Sequence, residues 1–571
     1  MNKLYPVYTL NNECVDCYKC VRECHVKAIK IENGHASVLP EKCISCGSCV
    51  KACPSGAKRV RYDIEKVKTL IRAQKDVYVS LAPSWIGAFD LSKTQMISLF
   101  KKLGFKEISE TALGAQEVSI KTAEILNNEE KGLFISSACP AVVDYIRLYK
   151  PDFTKNITQI ASPALTHAKL LKEKFGKNIS IVFVGPCIAK KNEADKHPEL
   201  IDVALTFEEL KFWINEEFIN LAELETNNSY DFVPEAAYEG ALYPLESGMN
   251  ETIKQIGVAS DVQLLSISSL ETLNKSLQGL DAKKIKNKIF IEALACDGGC
   301  LGGPCISTKK AGVTRISDVL SNTRKRKQIP KTAEVVVEEK YEPKPISTYN
   351  FPIKEITAAM KKIGKHKEED ELNCGGCGYS TCKELANALL AGEAEPSMCV
   401  SYMRKIAMRK AAAMLRCMPS GIVMVDQDLK IVEANNAFLK MFCGDMYDVF
   451  SSRQDGLVGA SIDRIVDFSD IFKAALKSGK DIHKEHFPVK DKLYDIIAFT
   501  IEKHAIVGAI ITDVTQSEMN REKIAHKAQE VISKNIAIVQ DIACLLGEHM
   551  VETELLLSSI ANDFDTKEDE K

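Results

Sequence analysis

Between residues 63 and about 330, short apolar runs rich in β-branched residues alternate with segments of helical periodicity. The runs are DVYVSLAPS, KGLFISSACP, NISIVFVGPC and NKIFIEALAC. Short strands separated by helices predict an α/β domain with largely parallel strands, because a helical crossover is what parallel pairing needs. Three of the runs end in cysteine, at Cys139, Cys187 and Cys296. Ligands of open α/β sheets lie at the carboxyl ends of strands, so these thiols are expected to converge.

From about residue 403 the pattern changes. A helical segment, SYMRKIAMRKAAAMLRC, leads into strand, turn and strand over GIVMVDQDLKIVEA, a helix opening at ANNAF, and later strands IIAFTIEKH and AIVGAIITDVT. Beyond them a seven-residue pattern joins Ile524, Ala528, Val531, Asn535, Ile538, Ile542 and Leu545. Alternating steps of four and three suit a coiled-coil seam in which Asn535 fixes register. A dimer helix is favoured over a helical hairpin that packs back on itself. His483, His486 and His504 lack the spacing of partners and are read as structural, and Cys443 as core.

A chain of 571 residues should hold several domains, since one core rarely serves more than about 300 residues. With 45% apolar and 27% charged residues and a net charge of -3, it has no electrostatic case for nucleic acid or an anionic membrane. The basic run TRKRKQ at 323–328 reads as a solvated loop, and the acidic tail DFDTKEDEK as disordered. No stretch resembles a signal peptide or reaches the ~18 apolar residues of a membrane span, so a cytoplasmic location is expected. Twenty cysteines in such a chain argue for metal, because a reducing compartment keeps thiols free and thiolates are soft ligands.

Their spacing decides which metal. Residues 14–24 read CVDCYKCVREC and residues 43–54 read CISCGSCVKACP, the same C-x2-C-x2-C-x3-C unit twice. Three thiolates of each run cap one cubane and the fourth reaches the other. The two sets are Cys14, Cys17, Cys20, Cys53 and Cys43, Cys46, Cys49, Cys24. Residues 1–62 resemble a bacterial two-cluster ferredoxin, departing at His25, where a proline usually follows the fourth cysteine. A further group, NCGGCGYSTCKELANALLAGEAEPSMC, holds Cys374, Cys377, Cys382 and Cys399. It resembles the small 4Fe-4S domain of corrinoid proteins of acetyl-CoA metabolism and of some hydrogenases. Zinc stays open there, since four cysteines alone do not choose the metal.

Cys139, Cys187, Cys296 and Cys300 supply four further thiolates, and Gly298, Gly299, Gly302 and Gly303 are expected to leave room for something bulky near Cys300. The elements SSACP, GPCIAKKNE and EALACDGGC resemble those of the FeFe hydrogenases, over roughly residues 1–330. The resemblance implies that these four cysteines hold the 4Fe-4S half of the H-cluster. Cys300 would bridge to a di-iron subcluster with CO, cyanide and dithiolate ligands. It implies that Lys190, in a motif that ends in Glu193, donates to one cyanide, and that Ala82, Pro83 and Ser84 meet the other. Catalytic members carry a proton-passing cysteine before the first ligand; here Ala138 stands there, and Gly185 and Leu294 replace two methionines. The segment TALGAQEVSIKTAE puts Lys121 near where the family's relay glutamate is expected, so the relay around Lys121 and Thr158 also departs from the catalytic pattern. Without the thiol, turnover should be slow.

The later strands, residues 415–515, resemble a PAS domain without the flavin-reactive cysteine motif. The fold class is therefore multidomain α/β and α+β. Its parts are a two-cluster ferredoxin fold (1–62), an α/β H-cluster domain (63–330), a linker (331–352) and a small four-cysteine 4Fe-4S domain (353–402), then a PAS domain with its lead-in helix (403–518) and a coiled-coil-like helix with acidic tail (519–571). The reading that follows is a slow FeFe hydrogenase that senses H2 or redox poise. It would hold three accessory cubanes besides the H-cluster and deal with H2, protons and a ferredoxin or other one-electron carrier. It would form a homodimer, take its cofactor from maturation proteins and signal to a downstream protein, since no output motif follows the PAS segment. An ordinary ferredoxin-linked hydrogenase and a non-catalytic iron-sulfur scaffold are the alternatives.

Overall fold

The computed structural model describes all residues except 1–3, 74, 226–229, 327–328, 336–337, 348, 350, 452–455 and 566–571. The chain divides into two compact units, Met1–Met403 and Arg404–Lys571.

The first unit opens with two short antiparallel pairs, Val7–Thr9 with Lys58–Val60 and Ile29–Glu32 with His35–Val38. Two one-turn helices, Lys19–Arg22 and Ser48–Ala52, carry Cys20 and Cys49 inward, where both are buried. The repeat in the sequence is thus a repeat of strand and cysteine loop. Arg61 ties this module to the next domain through Asp63 and Asp195, at 2.9 and 2.6 Å.

The α/β domain does hold parallel strands, but in two sheets rather than one. The first has the order Glu107–Glu110, Val77–Leu81, Ser180–Gly185, Val203–Thr206; the second, Val262–Ser268, Lys288–Leu294, Gly132–Ile135. All pairings are parallel. The central strands VYVSL and SIVFVG are buried at every position, as a sheet covered on both faces requires. The helix Pro163–Phe175 is latched to the first sheet by His167, whose ring nitrogens bond Ser80 and Ser109 at 2.8 Å each. Burial pushes that imidazole down to about 3, so it is neutral at physiological pH. The latch fixes the start of the helix, Ser162 and Pro163, beside the site described below.

The described part of 331–352 is not a free linker: the amides of Glu339, Lys344 and Ile346 bond the carbonyls of Gln159, Arg147 and Leu148. In the basic run, Arg324 and Lys325 are exposed as expected, whereas Arg326 lies over the Tyr238 ring at 4.6 Å; Lys327 and Gln328 lie outside the described residues. In the small cysteine domain, helix Ile353–Lys362 packs on helix Cys382–Leu390, which Thr381 caps by accepting from the Glu384 amide.

The second unit contains an antiparallel five-stranded sheet in the order Ile431–Ala434, Gly421–Asp426, Ile506–Asp513, Lys492–Glu502, Ile482–Val489. Asn435 starts the helix Asn436–Phe442 by accepting from Ile422 and Phe438 amides. Cys443 packs against the apolar core, and the histidines make separate contacts, His486 with Glu518 and His504 with a backbone carbonyl. The last helix runs unbroken over Thr515–Asp565. It is not a hairpin, and it takes in residues 563–565 of the tail expected to be disordered; residues 566–571 lie outside the described ones. Ile524, Val531, Ile538, Ile542 and Leu545 along it are exposed.

Candidate active site

Strand Gly132–Ile135 ends in Ser136, Ser137 and Ala138, and Cys139 is the N-cap of helix Pro140–Tyr149 with Pro140 as its first residue. Proline suits that place because its missing N–H is one the helix leaves unpaired. Cys187 follows strand Ser180–Gly185, and Cys296 and Cys300 follow strand Lys288–Leu294. The three strand ends, from two different sheets, do converge. All four cysteines are partly buried, with their thiols turned inward where they feel one another's charge: burial first, then Cys139, pushes Cys187 up to about 12, and Cys300 and Cys296 are raised in the same way. Such thiols stay protonated in the protein alone. Only a bound cation of high charge density would make them thiolates.

Two adjoining cavities share Cys139, Cys187, Cys300, Pro186 and Leu294. The smaller, of about 30 Å³, is lined also by Cys296 and by Cys46 of the ferredoxin-like module. The larger, of about 100 Å³, is lined by Ala82, Pro83, Ser84, Ala138, Phe183, Lys190 and Tyr243 among others. Cys300 lines both, as do Cys139 and Cys187, whereas Cys296 lines the smaller alone. The Ser84 hydroxyl is buried and has no hydrogen-bond partner among the described residues, a donor held ready for an anionic group in the larger cavity. The donor set therefore fits a cubane joined to a second metal group: four soft ligands in one cavity, an apolar neighbour cavity and a buried cation at its wall.

That cation, Lys190 Nζ, donates to Ser162 Oγ at 2.7 Å and Glu193 Oε2 at 2.6 Å. Two of its three N–H groups are committed, so one remains for a ligand. Glu193 anchors the lysine and does not line the cavity.

Several expectations need correction. The glycines after Cys296 do not all make room for a ligand. A Cβ at Gly299 would run into the Pro244 carbonyl oxygen, and one at Gly302 into that of Asp297; of the four, only Gly298 faces open space. Lys121 is not at the site; it pairs with Glu124 at 2.8 Å and is partly exposed. Thr158 is buried but donates to Ser137 at 3.2 Å, beside the cavity wall. The loss of a methionine at Gly185 has a steric reason: a side chain there would meet the Phe183 ring at 2.7 Å and Ala82 at 2.9 Å.

Two residues near the site escape a reading of the sequence. Tyr243, whose hydroxyl pairs with Ser119 at 2.8 Å at the edge of the larger cavity, carries no local signal. Glu292 does carry one, as a lone carboxylate in an apolar strand. It accepts the amides of Met249 and Asn250, and burial pushes it up to about 7.

The accessory cysteines also group as their spacing implied. Cys20 lies close enough to Cys14, Cys17 and Cys53 to feel their charge, and Cys49 to Cys46, Cys24 and Cys43. Cys377 feels Cys399 and Cys374, and Cys382 is buried in the same core cluster.

Residues 75–304 match the family model of the iron-only hydrogenase large subunit, C-terminal domain. The α/β domain is similar to that family over this span. Residues 6–54 match a 4Fe-4S dicluster domain, residues 370–401 an Fe-S cluster domain and residues 409–480 a PAS domain. With such domains the chain is built for 4Fe-4S clusters and a di-iron subcluster. Among relatives, iron hydrogenase 1 of Clostridium pasteurianum is 26% identical over 361 residues, which are 51% of this chain and 62% of that protein, so less than two thirds of that relative's length is spanned. The periplasmic Fe hydrogenase large subunit of Nitratidesulfovibrio vulgaris is 24% identical over 377 residues, 53% of this chain and 86% of that protein. The solved structure of a variant of FeFe-hydrogenase HydA1 from Chlamydomonas reinhardtii aligns with a TM-score of 0.40 and 17% identity, over 50% of this chain and 100% of that one. Among the described residues no helix is long and apolar enough to cross a membrane.

Proposed function

We propose that this hydrogenase-type chain interconverts H2 with two protons and two electrons at low turnover, and that it serves as a sensor of H2 or redox poise that reports through its PAS domain. The observation that carries the reading is the wall of the larger cavity, where Ala138 presents a methyl group beside Cys139 and Cys300. When bound, the H-cluster supplies the metal centre at which H2 is split or formed. Cys139, Cys187, Cys296 and Cys300 would hold it, and Lys190, fixed by Glu193 and Ser162, would neutralise an anionic ligand. Ala82, Pro83 and Phe183 exclude water. Ala138 can neither give nor take a proton, so the step that a general acid would speed by ~10²- to 10⁴-fold is unassisted there.

Electrons would leave through Cys46, which lines the cubane cavity, and a ferredoxin-like carrier would take them up. The last small-domain ligand, Cys399, directly precedes helix Val400–Cys417, which leads in sequence to the PAS strands; this favours signalling over mere electron transfer. A homodimer, maturation proteins, a downstream signalling partner and a cytoplasmic setting belong to this reading.

The test is H2 oxidation and evolution by protein matured anaerobically with the di-iron cofactor, with infrared spectra under H2 and under inert gas. Slow turnover with H2-dependent CO and cyanide bands supports the sensor. Fast turnover indicates an ordinary hydrogenase, and absent bands a scaffold.

A further inference from the structure

The small cysteine domain is built onto the ferredoxin-like module at one place. Ile31 N donates to Glu393 O at 2.9 Å, Lys42 pairs with Glu393, and Arg22 Nη2 holds Cys17 O while its Nη1 reaches Gly376 O at 3.5 Å. At Gly378 the backbone is so close that a Cβ would lie 2.9 Å from Val21 and 3.1 Å from the Arg22 amide. The glycine-rich CGGCG loop is therefore pressed against the helix that ends just before Cys24. Cys24 belongs to the set with Cys46, the cysteine that lines the cubane cavity.

Tyr379 shares one core cluster with Cys24 and Cys377. It is 6% exposed, its ring is part of the core that contains Cys20, Cys24, Cys49, Cys377, Cys382 and Cys399, and its hydroxyl has no hydrogen-bond partner among the described residues. The charges of both Cys377 and Cys24 bear on that hydroxyl. A buried tyrosine normally finds a partner for its O–H, and an unpaired one points to an acceptor that only the bound group supplies. Sulfurs of iron-sulfur clusters are such acceptors.

We propose that Tyr379 donates a hydrogen bond to a cluster sulfur where the Cys24 and Cys377 sets meet, making this contact the electron exit from the Cys24, Cys43, Cys46, Cys49 cubane to the small domain. The cubane nearest the H-cluster is then a branch point. One electron leaves it, oxidising it, and reduces either the cluster of Cys14, Cys17, Cys20 and Cys53 or that of Cys374, Cys377, Cys382 and Cys399. A donor to sulfur favours the more negative, reduced cluster and so raises its potential. The inference rests on the cluster assignments but not on H2 chemistry.

The test uses the full chain reconstituted with iron and sulfide and without the di-iron unit. Potentiometric titration followed by EPR is run on wild type, on Tyr379→Phe, which keeps the ring and removes only the hydroxyl, and on Cys382→Ser, which identifies the small-domain signal. The expected result is a fall in the midpoint of one or both clusters flanking Tyr379, with the Cys14-set and Cys139-set clusters unmoved. No shift in Tyr379→Phe, or a like shift of all four, overturns the proposal. Failure of the hydrogenase reading would instead show as missing CO and cyanide bands in separately matured protein, with this titration unaffected.

Discussion

Replacing Ala138 with cysteine puts a proton donor back on the wall of the larger cavity. Ala138 lines the same cavity as Cys300 and Lys190, so an added sulfur would stand among the residues that would hold the di-iron unit. A fully effective general acid would contribute ~10²- to 10⁴-fold, or about 3 to 5 kcal/mol off the barrier. The surroundings cap the gain well below that. Near residue 138 stand Ser137 and Thr158, joined at 3.2 Å, and the Tyr243 phenol, which burial pushes far up, and none of these three takes a proton near neutral pH; Glu292, which burial pushes up to about 7, lines neither cavity. Lys121, partly exposed and paired with Glu124, cannot serve. A gain of about tenfold, ~1.4 kcal/mol, is the expected size. It is read as H2 evolution by matured protein with an artificial reductant, in H2O and D2O, because a restored proton step changes the solvent isotope effect along with the rate. A wild type already as fast as a dedicated hydrogenase, with no gain in Ala138→Cys, would refute the link between the alanine and slow turnover.

Cys382→Ser should cost one cubane's iron in a quantitative assay and leave the CO and cyanide bands of matured protein in place; loss of those bands would mean the small domain is needed to build the active site. Truncation after residue 403 should give a monomer in light scattering while the full chain dimerises through the exposed apolar positions of helix Thr515–Asp565. In metal-free protein Glu292, raised from 4.5 to about 7 by burial, binds a proton more tightly folded than unfolded. Stability should therefore fall as pH rises from about 4.5 to 7, by about 3 kcal/mol from this group, and Glu292→Gln should flatten that part of a Tm-against-pH profile.

The cluster sites were legible because their information is local. Three thiolates on a tight loop must come from cysteines separated by only two residues, so Cys14 to Cys24 and Cys43 to Cys53 declare themselves, and only the exchange of the fourth ligand is non-local. The strand-end cysteines were legible for a related reason: apolar runs ending in cysteine imply a ligand edge whichever sheet they join. That they join two sheets was not legible. Strand order is set by crossovers that the periodicity of single strands does not record, and the unrecognised strands Glu107–Glu110, Val203–Thr206 and Val262–Ser268 were the ones needed to see it.

What sequence could not supply is what fills space around a site. Gly185 read as a missing methionine, yet Phe183 and Ala82 occupy the volume a side chain would take. Phe183 also lies 6.0 Å from Lys190 Nζ, so the same ring closes the pocket and flanks its cation. Restoring a methionine at Gly185 would thus displace Phe183 and disturb Lys190 without recreating the environment of catalytic relatives. Ala138 is the opposite case. Its methyl lines the cavity directly, so it can be changed alone, and the distance between a tenfold gain and a thousandfold gain there measures how much of the relay lies beyond the first residue.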